Sequence, residues 1–399
     1  MSRQSLQNEC DRENYENRKV DIIRTQRMDE FWKYSNGNFF ITGDGGIKKE
    51  IADKRRKMLL SAIKYAPSFS KRNLVVIHND DTLEQEVIRE AYNLERELIV
   101  ISEKYPNYHL FYRMNKEKIL SFFDEMGKKC GYPNMIEADS YARAFMEILE
   151  YSYPVSLPAM IALADKSDKE IYEIARDHGV TARVLQDFER AVNRNGGDTF
   201  RGILNRVRSA MARITRYDCD TKFNMMTATR PGEPARVILI NMNISDTYIF
   251  NLYMKYELDE IRGRQVSLIV DDIPVINESG FMDSLKAIAI NKYSAVGLCA
   301  GDIFNMIQME DLRGFNTHCI FEHANNQSLT ALLNSYGTYH HAYVQETQVI
   351  PAGRLITFIP QRTYTKAFDV RPRIRIQDME FAVLKGHRQE RCIIVSELL

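Results

Sequence analysis

Residues 39–50 read Phe-Phe-Ile-Thr-Gly-Asp-Gly-Gly-Ile-Lys-Lys-Glu, an apolar run entering a glycine-rich turn that ends in two lysines. After a strand, such a turn cradles phosphate with its backbone N–H groups, while a lysine and a Ser/Thr at its end hold phosphate and magnesium. Gly43 and Gly46 fall where a G-x-x-G-x-G-K-[ST] loop places them, Asp44 and Gly45 lie between them, and Lys49 falls on the lysine. Two positions depart from that pattern: Lys48 stands on the last glycine and Glu50 on the hydroxyl. A side chain at 48 removes the backbone freedom that lets the loop close on phosphate. A carboxylate at 50 repels phosphate at close range, although it is itself able to hold a metal. Lys48 and Lys49 still place two cations beside a helix N-terminus, which favours an anion. The expectation is weak or absent hydrolysis, with ATP and Mg2+ binding left open.

The other half of such a site is a hydrophobic strand ending in carboxylates. Val266-Ser-Leu-Ile-Val270 followed by Asp271 and Asp272 has that form. There Asp271 would hold Mg2+ and Asp272, one methylene shorter than the usual Glu, would position water. A solvated strand end gives the same pattern, so the pair gains meaning only beside the loop.

The elements that must position these residues alternate. Strand 39–42, a helix around 48–64, strand 74–77, helix 83–98 and strand 98–101 read as βαβ units with a parallel sheet. The pattern returns after 217 with strand 236–240, helix 248–262, strand 266–270, helix 280–291 and strands 295–299, 319–321 and 355–359. Between them, residues 111–216 carry apolar residues at helical spacing and turn signals such as Gly131-Tyr-Pro133 and Asn195-Gly-Gly197. The reading is an α/β protein with a core of 35–110 and 217–399, an all-α insertion at 111–216, and a peripheral N-terminal arm at 1–34. Residues 371–399 read as a tail after Pro372.

Bulk composition narrows the classes. The 399 residues are 27% charged and 44% hydrophobic with zero formal net charge, so a nucleic acid would meet a local basic face only. The six cysteines form no C-x-x-C pair, which argues against a zinc site or a disulfide framework and suits a reducing cytoplasm. No run of about 18 apolar residues exists to span a membrane.

Two basic or DNA-reading candidates lie in the insertion. Residues 171–188 resemble a helix-turn-helix, with Ala175 as the small packing residue, Gly179 at the turn and Thr181 as the cap of the second helix. A plain αα-hairpin reads equally well. Arg201, Arg206, Arg208, Arg213 and Arg216 follow on the next helix with few acids among them, a pattern able to meet phosphates. A solvated helix face is its commoner use.

Loop, helical insertion and acidic strand in this order resemble the conjugative type IV secretion coupling proteins, the TraG/TraD group. The resemblance runs from about residue 36 to 395. Arg236–Ile240 with Asp246–Arg262 resembles the family's strand and long helix, and Val266–Asp272 its acidic motif. Ala295–Phe304 resembles its sensor strand, Phe315–Gly337 its Ser-x-Gly segment, and Arg371–Glu380 its closing tail. What the resemblance implies is a RecA-like P-loop NTPase core that forms hexamers and brings relaxase–DNA complexes to a secretion channel. It also marks departures. The family carries N-terminal membrane helices, Gly and Ser/Thr where Lys48 and Glu50 stand, and a sensor Gln where Gly301 stands. Three parts of one reaction centre are thus altered together. The expected function is a coupling-protein-like component, cytoplasmic or peripheral at the inner face of the membrane, acting through partner subunits, a relaxase or DNA. An atypical ATP-driven DNA translocase and a RecA-like scaffold that binds neither ligand are the alternatives.

Overall fold

The computed structural model describes residues 2–24, 27–34, 37–43, 49–215, 223–232, 234–242, 245–275, 277–322, 326–349, 361–375, 381–383 and 392–396. The chain divides into two compact units, Met1–Met58 with Gln308–Leu399, and Leu59–Ile307.

The first unit opens with α1 (Arg3–Arg18), β1 (Val20–Arg24), α2 (Met28–Tyr34) and β2 (Phe39–Thr42), and α3 (Lys49–Tyr65) begins in it. In the second unit follow α4 (Pro67–Ser70), β3 (Asn73–His78), α5 (Asp81–Asn93) and β4 (Glu97–Ile101). Six helices come next: α6 (Lys116–Lys129), α7 (Met135–Ser152), α8 (Leu157–Ala164), α9 (Asp168–Asp177), α10 (Ala182–Val192) and α11 (Gly196–Met211). The unit closes with α12 (Met225–Ala228), β5 (Arg236–Asn241), α13 (Thr247–Ile261), β6 (Val266–Asp271), α14 (Phe281–Ala289) and β7 (Ala295–Ala300). Back in the first unit are β8 (Thr317–Ile320), α15 (Asn326–Ser335), β9 (Thr338–Val349), β10 (Gln361–Pro372), β11 (Phe381–Val383) and β12 (Cys392–Ser396).

Strands of the second unit lie in the order β7-β6-β3-β5-β4, every described pair parallel. Their sequences are continuous apolar runs because both faces are covered: all six residues of β3, β6 and β7 are buried. In the first unit the order is β1-β12-β11-β8-β2, with β1–β12 and β8–β2 parallel and β11 antiparallel to both its neighbours. The fold is α/β with mostly parallel strands, as the alternation predicts.

The helices α6–α11 bury their own aromatic core. Phe123 meets Phe200 at 5.3 Å between ring centroids, Phe145 meets Phe200 at 5.2 Å and Tyr141 meets Phe188 at 5.2 Å. A capping box of Ser167 and Glu170 starts α9, satisfying two backbone donors. Gly179, at φ +72°, makes the turn between α9 and α10. Thr181 occupies the cap position of α10 without donating or accepting a side-chain capping bond.

Two readings of the chain ends change. Residues 1–34, read as a peripheral arm, supply a helix, a sheet strand and a second helix, with Phe31 and Trp32 fully buried. Their anchors lie at the other end of the chain: β1 pairs with β12, Asn14 exchanges hydrogen bonds with the backbone of Ala342, and Lys366 pairs with Glu9 at 3.3 Å. Within residues 371–399, read as a tail after Pro372, the described strands β11 and β12 join the sheet. Pro372 ends β10, which pairs with β9 in an antiparallel two-stranded ribbon that the sequence reading missed. The strand expected at 355–359 lies outside the described residues. Among the described residues no helix is long and apolar enough to cross a membrane.

Candidate functional site

In the first unit, β2 is followed in the chain by α3, the strand-then-helix order that flanks a phosphate loop. Asp44, Gly45, Gly46 and Lys48 lie outside the described residues. Gly43 is closely packed: a Cβ there would sit 2.5 Å from the Phe321 Cβ and 3.0 Å from the Ile51 Cγ2, so no larger residue fits without movement. Its carbonyl accepts a hydrogen bond from Arg55 at 3.3 Å. Lys49 and Glu50 are exposed in the first turn of α3, and the Glu50 carboxylate pairs with Lys54 one turn on, at 3.4 Å. Position 50 therefore offers a carboxylate engaged by a cation where a magnesium site takes a neutral hydroxyl.

In the second unit, the carboxyl ends of the parallel strands carry a polar row. Registers His78↔Asn241 and Asp271↔Cys299, with Ile77 opposite Val270, put His78, Asn241, Asp271 and Cys299 at one level. Asp271 ends β6 and is 6% exposed. Asp272 follows in the left-handed region at φ +47°, a conformation Asp tolerates better than most side chains. Its amide donates to Cys299 O at 2.8 Å, and its carboxylate accepts the Gly301 N–H at 2.8 Å. Gly301, which has no side chain to offer, thus still meets Asp272 through its backbone. Asn79 donates its side-chain amide to the Asp272 carbonyl at 3.2 Å.

His78, Asn241, Glu84 and Asp81 are residues that the sequence reading did not single out. His78 is fully buried and neither ring nitrogen finds a hydrogen-bond partner among the described residues; its Nε2 stands 3.7 Å from Glu84. Burial pulls its pKa down to about 4, which keeps the ring neutral, and burial also pushes the Glu84 carboxyl up from its ordinary value. Asn241 donates to Asp81 at 2.9 Å and Glu84 at 3.2 Å. One sequence signal marks this row: each apolar strand run is followed at once by a polar residue, His78, Asn241 or Asp271. Open parallel sheets bind ligands outside these carboxyl ends. Among the described residues, no group of three or more His, Cys, Asp or Glu is arranged to hold a metal ion.

The arginine helix is only partly available to a nucleic acid. Arg201 turns inward: its guanidinium donates to Asp168, to the Tyr141 hydroxyl at 3.1 Å, and to the carbonyls of Ala164 at 3.1 Å and Lys166 at 3.4 Å. It is a packing cation and leaves the proposed phosphate face. Arg206 pairs with Asp246 at 3.1 Å. Arg208 is half-buried, Arg213 is exposed, and Arg216 lies outside the described residues. On α10, Asp187 pairs with Arg190 at 3.3 Å and lies 3.9 Å from Arg183, so that helix offers phosphate little unopposed charge.

No family model and no curated protein sequence matches the chain. Among solved structures it is similar to the bacterial conjugative coupling protein TrwBdeltaN70, in a trigonal form in complex with sulphate, with TM-score 0.50 and 9% identity over 95% of this chain and 94% of that one. It is also similar to the plasmid coupling protein TrwB in complex with ADP and Mg2+, with TM-score 0.39 and 11% identity over 95% and 94%. The first likeness runs through nearly the whole of both chains and is one of fold, an α/β core with a mostly parallel sheet.

Proposed function

We propose that this chain is a coupling-protein-like component of a conjugative or mobile-element transfer system, with weak or lost ATPase activity. It acts by binding: other coupling subunits, a relaxase, or DNA. The observation that carries this reading is the likeness of fold to a conjugative coupling protein across 95% of the chain. Lys48, Glu50 and Gly301 support the loss of the engine: against the resembling family, Lys48 removes backbone freedom from the loop, Glu50 replaces the hydroxyl that holds magnesium, and Gly301 lacks the sensor side chain. The described residues fit a magnesium nucleotide poorly: no hydroxyl stands at position 50, and the carboxylate there is held by Lys54. In this reading the protein works in the cytoplasm or at the inner face of the membrane, and DNA would meet the basic segment that carries Arg206, Arg208, Arg213 and Arg216.

Repairing the loop tests it. A Lys48→Gly, Glu50→Thr double variant restores the family pattern at both positions. Mg-ATP at 100 times its dissociation constant stabilises a binding protein by about 2.7 kcal/mol. The repaired variant is expected to gain stabilisation in thermal melts that the parent chain lacks. A parent chain stabilised as strongly as the variant would favour the translocase reading. No response from either would favour a scaffold without nucleotide.

A further inference from the structure

The helices α6–α11 join the rest of their unit through two chain crossings, the segment before α6 and the segment around α12. The crossings pair with one another. Asn107 bridges Thr215 and Tyr108 bridges Phe223; the Tyr108 N–H donates to Ile214 O at 2.9 Å and the His109 N–H to Phe223 O at 2.6 Å. Asn224 adds a bond to the Tyr112 carbonyl at 2.8 Å. Together they form a neck.

One side chain from a third element holds both crossings. Glu257, on α13, accepts the Tyr108 hydroxyl from the first and the Met225 N–H, at 2.9 Å, from the second. The same Met225 N–H lies 3.3 Å from the Tyr108 hydroxyl, which closes the triangle. Glu257 is fully buried; no ion pair within 4 Å joins it to a lysine or arginine among the described residues, and Arg264 is the cation that acts on it through space.

The surrounding charges are engaged elsewhere. Arg264, just beyond α13, donates to the Met226 carbonyl and to Thr229 at 3.1 Å, with Arg230 acting on it from the α12 side. Glu260 on α13 pairs with Lys118 of α6 at 3.0 Å, and Lys255 with Glu125 of α6 at 2.9 Å. On α14, Asp283 pairs with Lys286 at 3.3 Å; from α11, Arg206 reaches Asp246; and Glu278 pairs with Lys129. Burial drives the hydroxyls of Tyr108 and Tyr253 well above their ordinary range, so they stay neutral.

We propose that Glu257 is a proton-operated clasp on the neck of the helical insertion: holding a proton fastens the two crossings, and losing it favours their opening. A carboxylate enclosed with no cation in direct contact is disfavoured relative to a hydrated one, and opening the neck hydrates it. Burial accordingly pushes the Glu257 pKa from an ordinary 4.5 up to about 7. The closed neck holds the proton more tightly than the open neck. Opening therefore releases a proton, grows easier as pH rises through the interval between those two values, and levels off above it.

Hydrogen exchange of the full chain tests this, read on peptides spanning 105–112 and 223–229 and corrected for intrinsic base catalysis. The opening equilibrium is expected to rise about 40-fold from pH 5 to pH 7, from linkage between the two pKa values, and to be flat in Glu257→Gln. A flat wild-type profile, or the same rise in Glu257→Gln, overturns the proposal. Should Glu257→Gln fail to fold, Tyr108→Phe removes one donor to the ionised form and must move the midpoint to higher pH. An unmoved midpoint counts equally against the clasp.

Discussion

Arg201→Ala lowers the stability of the helical insertion by about 3 kcal/mol while leaving any salt-sensitive DNA binding unchanged; that is the expected result from the contacts of this side chain. The guanidinium is mostly buried and bonds Asp168, the Tyr141 hydroxyl and two backbone carbonyls that end α8 and its following turn. It also lies over the Tyr141 ring, 5.5 Å from its centroid. Truncation strips the donor from a carboxylate and two carbonyls that remain half-enclosed, and unpaired polar groups of that kind cost about 1–3 kcal/mol each when buried. Chemical denaturation followed in parallel with DNA titration at two salt concentrations decides the matter. A variant of normal stability that has lost DNA affinity would return Arg201 to the nucleic-acid face.

Acidification from pH 6.5 to pH 5 costs the first unit about 2 kcal/mol, because His318 is held neutral there. The ring is buried and stacks on Phe40 at 4.1 Å between centroids. Its Nε2 lies 3.0 Å from the Phe315 carbonyl, which only accepts, so Nε2 carries the proton and Nδ1 accepts from the Tyr336 hydroxyl at 2.8 Å. Burial pulls the pKa from an ordinary 6.5 down to about 3. A histidine with a depressed folded pKa contributes stability that is fully present above its unfolded pKa and is lost as pH falls toward the folded one. In the second unit His78 adds a term of the same sign, and Glu257, with its pKa raised, adds one of opposite sign over much of the same interval. Acid sensitivity should therefore appear first in the first unit. Amide protection of β8 measured at pH 6.5 and pH 5 reads the effect, and His318→Gln should flatten it. Equal protection at the two pH values contradicts the assignment.

The elements around the candidate site were legible where burial on both faces writes a strand as an unbroken apolar run, as in Leu74–Ile77, Val237–Ile240 and Val266–Val270. Helix α13 was legible from its periodicity, and the strand ending in Asp271 from its residue types. What was hidden depends on register or on distant partners. The β9–β10 ribbon carries polar residues such as Glu346, Thr347 and Gln348 in succession, so no alternation announces it. Strand β1 is explained only by β12 at the far end of the chain. His78 and Asn241 become neighbours of Asp271 only once three separate strands are aligned. Arg201 looks like a surface cation until Asp168, 33 residues earlier, is folded against it.

The measurement closest to the central claim is ATP turnover by the purified chain, with and without single-stranded DNA, beside an Asp271→Ala variant. A chain that has kept the coupling fold with a weak or lost engine shows at most slow turnover, and DNA does not stimulate it. Turnover that DNA stimulates and Asp271→Ala abolishes would contradict the account and make the protein a working translocase with an unusual phosphate loop.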